Sequence, residues 1–264
     1  MPGTCLLIID PQNDFHEGGS LGVPGAAADT ARVAALLRAH GADVDKVVVT
    51  LDTHHKLHIA HGAFWTDAAG ASPAPFTTVA AADVESGAWS PRDASKRDAA
   101  LAYATALEAK GRFKICVWPE HCLIGTPGHA VVPELNAALQ EWSAARLRPV
   151  DYVLKGMNCM TEMYSAISAE VEVPDDPSTA TNTALVETLR GFDRVLCCGQ
   201  ALSHCVNFTV RDLVDGLGAD AAAAKVVVLG DASSSVPGFE ASGTAFVSDM
   251  EAKGVKVVKC EAAW

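Results

Sequence analysis

Short, continuous apolar runs recur along this chain, with helix-length segments between them. They fall at residues 4–9, 46–51, 114–117, 151–154, 194–198, 225–229 and 255–258. They do not alternate apolar with polar, the pattern of a strand with one wet face. They are apolar nearly throughout, as strands buried on both faces are. Helices are expected at about 26–40, 95–110, 131–145, 207–216 and 239–252, with a shorter one at 158–170. Ser90-Pro91 adds a further start signal, Ser as cap and Pro at the first helical position. Strands alternating with helices imply an α/β fold: a doubly wound, mostly parallel six-stranded sheet with helices on both faces. No internal repeat or linker-like stretch interrupts the chain, so residues 1–264 read as one domain.

Composition narrows the partners. Thirty-two acidic residues against 20 Lys plus Arg leave a formal charge of −12. That argues against nucleic acid and against an anionic membrane surface. No apolar run approaches the roughly 18–20 residues of a membrane span. A strand begins almost directly after Met1-Pro2-Gly3, with no visible signal peptide. The eight cysteines sit mostly in apolar surroundings without a paired spacing, as expected of reduced thiols in a cytoplasmic protein. A homo-oligomer is left open.

Polar residues fall repeatedly just past the ends of the apolar runs: Asp10, Asp52 with His54, His121, Lys155 and Cys205. Open parallel sheets bind ligands outside the carboxyl ends of their strands. One such residue is ordinary capping. An acid, a base, a thiol and imidazoles at five ends suggest a site. Cys205 follows a strand and a glycine turn and stands at or near a helix start, where unpaired N–H groups and a partial positive charge favour a thiolate. A lone cysteine there is more often core. Asp52 and His54 are two apart, so on an extended strand they point to one side. With an imidazole from another strand end they suit Zn²⁺, Fe²⁺ or Mn²⁺. His55, His58 and His61 crowd the same loop, and His54 would meet His58 if the segment were helical. The alternative is a solvated polar loop.

Five segments in order then become recognisable. Asp10-Pro11-Gln12-Asn13-Asp14-Phe15, with Glu17-Gly18-Gly19-Ser20-Leu21, resembles the opening signature of nicotinamidases, within the isochorismatase-like cysteine hydrolase family. Asp52-Thr53-His54 resembles that group's metal motif, and Trp118-Pro119-Glu120-His121-Cys122 the segment supplying its third protein ligand. Lys155-Gly156 before Tyr164-Ser165-Ala166 is similar to the catalytic-lysine segment, and Gly199 to Val206 to the nucleophile turn. The resemblance implies an amidohydrolase that converts nicotinamide to nicotinate and ammonia in NAD salvage. Cys205 would attack the amide carbon, Asp10 would accept its proton, and Lys155 would favour the thiolate. The N–H groups of Ala201 and Cys205 would form the oxyanion hole, with a cis peptide at Gln200–Ala201. Asp52, His54 and His121 would hold one divalent metal, zinc before iron or manganese, and Phe15 and Trp118 would pack the substrate ring.

The chain also departs from that pattern. The segment between His54 and His121 is long, which implies an extended insertion at about 62–112 acting as a lid, an oligomer contact or an extra layer. Residues 158–182 also form a long loop. Gln200 and Leu202 stand where a small aliphatic residue and a threonine are expected, and His204 where a bulky residue is common. These changes are expected near the pocket, so two alternatives stay open: a relative acting on a carbamoyl or ureido compound, and a catalytically silent binding protein on the same scaffold.

Overall fold

The structure is a computed structural model and describes residues 3–264; Met1 and Pro2, with which the leader-free start is read, lie outside it. In chain order the elements are β1 (Thr4–Ile9), α1 (Ala26–His40), β2 (Val44–Asp52), β3 (Trp65–Thr66), β4 (Thr78–Val79), α2 (Ala81–Ser86), β5 (Ser90–Pro91), α3 (Arg97–Ala109) and β6 (Ile115–Cys116). There follow α4 (Pro133–Arg146), β7 (Asp151–Lys155), α5 (Thr183–Arg190), β8 (Arg194–Gly199), α6 (Cys205–Leu217), α7 (Ala219–Lys225), β9 (Val226–Leu229), α8 (Glu240–Ala252) and β10 (Lys256–Val258). The main sheet runs β10-β9-β8-β1-β2-β7, and every neighbouring pair is parallel.

Successive residues of a strand point to opposite faces, and here each face has its own core. Leu6 and Ile8 of β1 join Val47 and Val49 of β2 under α1 and α4, where Val33, Leu37, Leu135 and Leu139 complete the layer. Cys5, Leu7 and Ile9 point the other way, to Val195 and Cys197 of β8 and to Val206, Val210 and Leu213 of α6. The apolar runs are unbroken because helices cover both sides. No helix among the described residues is long and apolar enough to cross a membrane, and all eight cysteines are free thiols.

The region between β2 and α4 differs from the expectation. Residues 114–117 add no strand to the main sheet; Ile115–Cys116 pairs antiparallel with Thr78–Val79. Ser90-Pro91 starts no helix but pairs with Trp65–Thr66. Both cases are local propensity overridden by tertiary pairing. These ladders, α2 and α3 enclose a third core of Phe64, Trp65, Val84, Tyr103, Leu107, Ile115 and Val117. Residues 158–170 are not helical either: they run as turns and bends. Their apolar side chains, Met163, Tyr164 and Ile167, are buried without helical periodicity. Helices α5 and α7 were not anticipated.

Candidate active site

The ends of four strands meet at one level. Ile9 of β1 pairs with Gly199 of β8, and Asp52 of β2 with Lys155 of β7. Gly199 has φ +120°, and a Cβ there would run into the carbonyl oxygen of Ile9, so only glycine lets β8 end this close to Asp10. Asp10 itself has φ 45° as the chain leaves the sheet. The rest of the opening signature braces the other strand ends. Gln12 clamps the backbone of Asp52, donating to its carbonyl at 2.7 Å and accepting its N–H at 2.7 Å. Asp14 accepts the Cys122 N–H at 2.7 Å, and Asn13 donates to Pro127 at 2.8 Å, which holds the turn that carries His121.

Asp10, Lys155 and Cys205 come together as expected. The Lys155 ammonium lies 2.9 Å from Asp10 Oδ2, 2.9 Å from Asp52 Oδ1 and 3.6 Å from Cys205 Sγ. It also donates to the Met163 carbonyl at 3.0 Å. Burial works against its charge, but the two carboxylates outweigh that and hold its pKa well above the usual lysine value. Burial pushes the Cys205 thiol well up, with Lys155 opposing, so the resting side chain is a thiol. Burial likewise raises Asp10 against the pull of Lys155, and Thr50 donates to Asp10 Oδ1 at 2.5 Å. Asp10 Oδ2 has no directed hydrogen bond, which leaves a lone pair for a proton.

Cys205 opens α6. The Ala201 carbonyl accepts the N–H of His204 at 3.0 Å and of Val206 at 3.1 Å, passing over that of Cys205. The Gln200–Ala201 peptide is cis, as expected.

Beside the lysine stands a group of imidazoles. Asp52 Oδ2 lies 3.0 Å from His54 Nε2 and 3.2 Å from His121 Nε2. Burial disfavours the Asp52 charge, yet His54 and Lys155 hold its carboxyl well below the usual range. Ligand atoms of His54, His61 and His121 all lie within 4.8 Å of one another. Two tautomers are set from behind: Nδ1 of His121 donates to Pro119 at 2.8 Å and Nδ1 of His61 to Lys56 at 3.4 Å, which leaves both Nε2 lone pairs free. Nε2 of His61 is buried with no partner, and burial lowers that ring's pKa to about 3, keeping it neutral. Three imidazoles and a carboxylate are a donor set that a divalent transition metal fits, its binding releasing any proton held on a ligating nitrogen. The choice among the loop histidines thus falls on His61 for this group. His58 meets His54 at 4.4 Å between ring centroids without the helix that spacing suggested.

Phe15 and Trp118 are buried and line the cavity above Cys205, with Tyr164, His204 and Val236. Trp118 donates to the Tyr164 hydroxyl at 3.0 Å and packs edge-on to His204 at 5.1 Å. Two of the three expected pocket changes point elsewhere. Gln200 donates to Asp29 at 3.0 Å, and Leu202 lines a separate groove with Ser233 and Gly243. A side chain beside a cis turn faces away from the cavity its backbone borders. Glu162 and Tyr164 were not anticipated as lining residues; their signal was the Tyr164-Ser165-Ala166 segment, which identified a motif without saying which side chains face inward.

No family profile matches the chain. Over 212 residues it is 30% identical to the nicotinamidase/pyrazinamidase of Mycobacterium tuberculosis, covering 80% of this chain and 78% of the relative. Among solved structures, the nicotinamidase/pyrazinamidase of Acinetobacter baumanii superposes with a TM-score of 0.68 at 22% identity, over 100% of this chain and 99% of that one. The pyrazinamidase of Pyrococcus horikoshii, solved in complex with zinc, gives 0.60 at 20% identity, over 98% and 99%. The shared fold, the strand-end placement of Asp10, Lys155 and Cys205, and the similarity to the mycobacterial enzyme lead to one assignment: the chain belongs to the nicotinamidase/pyrazinamidase family of isochorismatase-like hydrolases.

Proposed function

We infer that this protein hydrolyses nicotinamide to nicotinate and ammonia in NAD salvage, as a metal-dependent cysteine amidohydrolase. The observation that carries the reading is the Lys155 ammonium, held between Asp10 and Asp52 within reach of the Cys205 sulfur, which lines one cavity with Asp52 and His121.

Amide hydrolysis needs a nucleophile, a proton acceptor and donors for the developing oxyanion. Cys205 Sγ attacks the carboxamide carbon as its proton passes to Asp10. Lys155 offsets the negative charge on the sulfur during the transfer. The N–H groups of Ala201 and Cys205 receive the oxyanion. Asp10 then returns the proton to the leaving nitrogen, the C–N bond breaks, and ammonia departs, leaving a thioester on Cys205. Water, giving a proton to Asp10, adds to the thioester carbon. The C–S bond breaks and nicotinate leaves as the thiol is restored. Phe15 and Trp118 sandwich the ring and exclude water. Asp52, His54, His61 and His121 would hold one divalent ion, zinc before iron or manganese. Bound there, such an ion would supply a Lewis acid for the pyridine nitrogen.

The eight free thiols favour a cytoplasmic setting. We treat residues 1–264 as one catalytic domain in which residues 62–112 form an insertion. The test is a substrate panel under metal-replete conditions. Nicotinamide and pyrazinamide both place a ring nitrogen in the 3-relationship to the carboxamide carbon, and benzamide does not. A site built around a donor group rejects the isostere lacking it strongly. The expected result is turnover of the first two and little or none of benzamide. Comparable kcat/KM for benzamide would remove the metal from recognition. Inactivity on all three, with turnover of a ureido compound, would overturn the substrate assignment.

A further inference from the structure

Glu162 and His58 stand against the imidazole group and take no part in the steps above. Glu162 is 6% exposed, in the irregular stretch after β7. It is fixed from two sides: its N–H donates to the Tyr103 hydroxyl of α3 at 3.1 Å, and its Oε1 accepts the Met163 N–H at 2.9 Å. Ligand atoms of His54, His58 and Glu162 lie within 4.8 Å of one another. Two nitrogens of this trio, His54 Nδ1 and His58 Nε2, are buried without a partner. An unsatisfied buried donor or acceptor is costly, so two on rings whose centroids lie 4.4 Å apart ask for a shared acceptor or a shared ion.

The tautomers decide between these. His58 Nδ1 accepts the Ala60 N–H at 3.2 Å, so in the neutral ring the proton sits on Nε2. A ring in that state is a donor and has no lone pair to give. The trio is therefore not a second metal site. His54 turns Nε2 toward Asp52 and the other imidazoles, and a ring that ligates through Nε2 carries its proton on Nδ1. Metal-bound histidines almost always donate that second N–H to a carboxylate, a carbonyl or water. Glu162 is the carboxylate of the trio that holds both unpartnered nitrogens.

We propose that Glu162 is a positioning residue of the metal centre, accepting the Nδ1–H of His54 and the Nε2–H of His58 and so holding His54 in its ligating tautomer. Through Tyr103, the 62–112 insertion then supports the metal rather than covering the substrate. The proposal rests on the metal reading above, and the two fail separately.

The test is titration of metal-free protein with Co²⁺, read by competition with a chromophoric chelator and by the visible absorption of the bound ion, in wild type and Glu162→Gln. The substitution keeps the shape and removes one acceptor and the charge. It should weaken Co²⁺ binding about ten- to a hundredfold and shift the absorption bands, while the metal-free variant melts as wild type does. Wild-type affinity and bands in Glu162→Gln, with one Co²⁺ per chain, would overturn the positioning role and leave the metal reading intact. A wild type that binds no Co²⁺ would overturn both. Two Co²⁺ per wild-type chain, reduced to one in His58→Ala, would replace the proposal with a second metal site. Should Glu162→Gln fail to fold, Tyr103→Phe carries the same test. It should give a smaller loss in the same direction, and unchanged affinity would count against the proposal.

Discussion

The strand-end rim and the irregular segments border the same cavity by different physical means. On the rim, Asp10, Asp52, Lys155 and Cys205 are placed by parallel-ladder register, with Ile9 opposite Gly199 and Asp52 opposite Lys155. A shift of register would move every one of them, so their positions are as rigid as the sheet. The loop of His58 and His61 and the stretch of Glu162 and Tyr164 have no such ladder. Their ties are scattered hydrogen bonds, among them two to the third core: Trp65 donates to the Ile59 carbonyl at 2.7 Å, and Tyr103 accepts from Glu162. The residues proposed for covalent chemistry sit on the laddered part, and some of those proposed for ion and ring recognition on the part without a ladder.

The comparison breaks most sharply at the nucleophile. Cys205→Ala should lower kcat by more than about a thousandfold, because no other side chain supplies the attacking atom. Cys197→Ala and Cys198→Ala, inside β8, should retain activity. Substantial turnover by Cys205→Ala in steady-state ammonia release would remove chemistry from the rim.

His61→Ala tests the irregular side. It should release metal and raise KM for nicotinamide as steeply as His121→Ala or Asp52→Ala, with His58→Ala doing less. Metal content of the purified proteins measured beside KM is the check. Full occupancy in His61→Ala would confine ligation to the residues nearest the sheet.

Trp65→Ala addresses the support. Trp65 is fully buried, so its loss should cost about 3–5 kcal/mol in the stability of the third core. Metal affinity should fall, while alkylation of Cys205 by iodoacetamide in metal-free protein should proceed at the wild-type rate. A parallel loss of thiol reactivity would show that the two regions are one mechanical unit.

The smallest effect concerns Glu170, at the end of the irregular stretch. Burial raises its carboxyl from 4.5 to about 7, against the pull of Arg112 at 3.5 Å. The folded state therefore holds a proton that the unfolded chain has released between about pH 4.5 and 7, so stability falls as pH rises through that window. The loss is at most about 3 kcal/mol. Glu170→Gln should flatten the fall in metal-free Tm between pH 5 and 8; an equal slope in both proteins would refute the assignment.

The same contrast decides what could be read in advance. Strands buried on both faces leave unbroken apolar runs, so the frame and the polar residues at its ends were legible. The opening signature identified a family, but the clamp of Gln12 on Asp52 depends on a contact 40 residues away. The third core defeated local signals because pairing there overrides them: the Ser-Pro start at residue 90 became a strand, and the run at 114–117 left the main sheet. Residues 158–170 misled for a related reason. Met163, Tyr164 and Ile167 are buried at spacings set by the cavity and not by a helix. His61 was visible as one of several loop histidines; only three-dimensional placement separates it from His55.

Asp52 gives one oxygen to Lys155 and the other to the imidazoles. A cation arriving on the imidazole side draws on the same negative charge that steadies the ammonium, so the two halves of the cavity share one electrostatic reservoir. On the proposed metal reading, filling the ion site would loosen the lysine's tie to Asp52 and turn its positive charge more fully toward the sulfur. The empty protein should be a poor target for electrophiles and the loaded one a good target. Thiol reactivity would then be a gauge of ion occupancy.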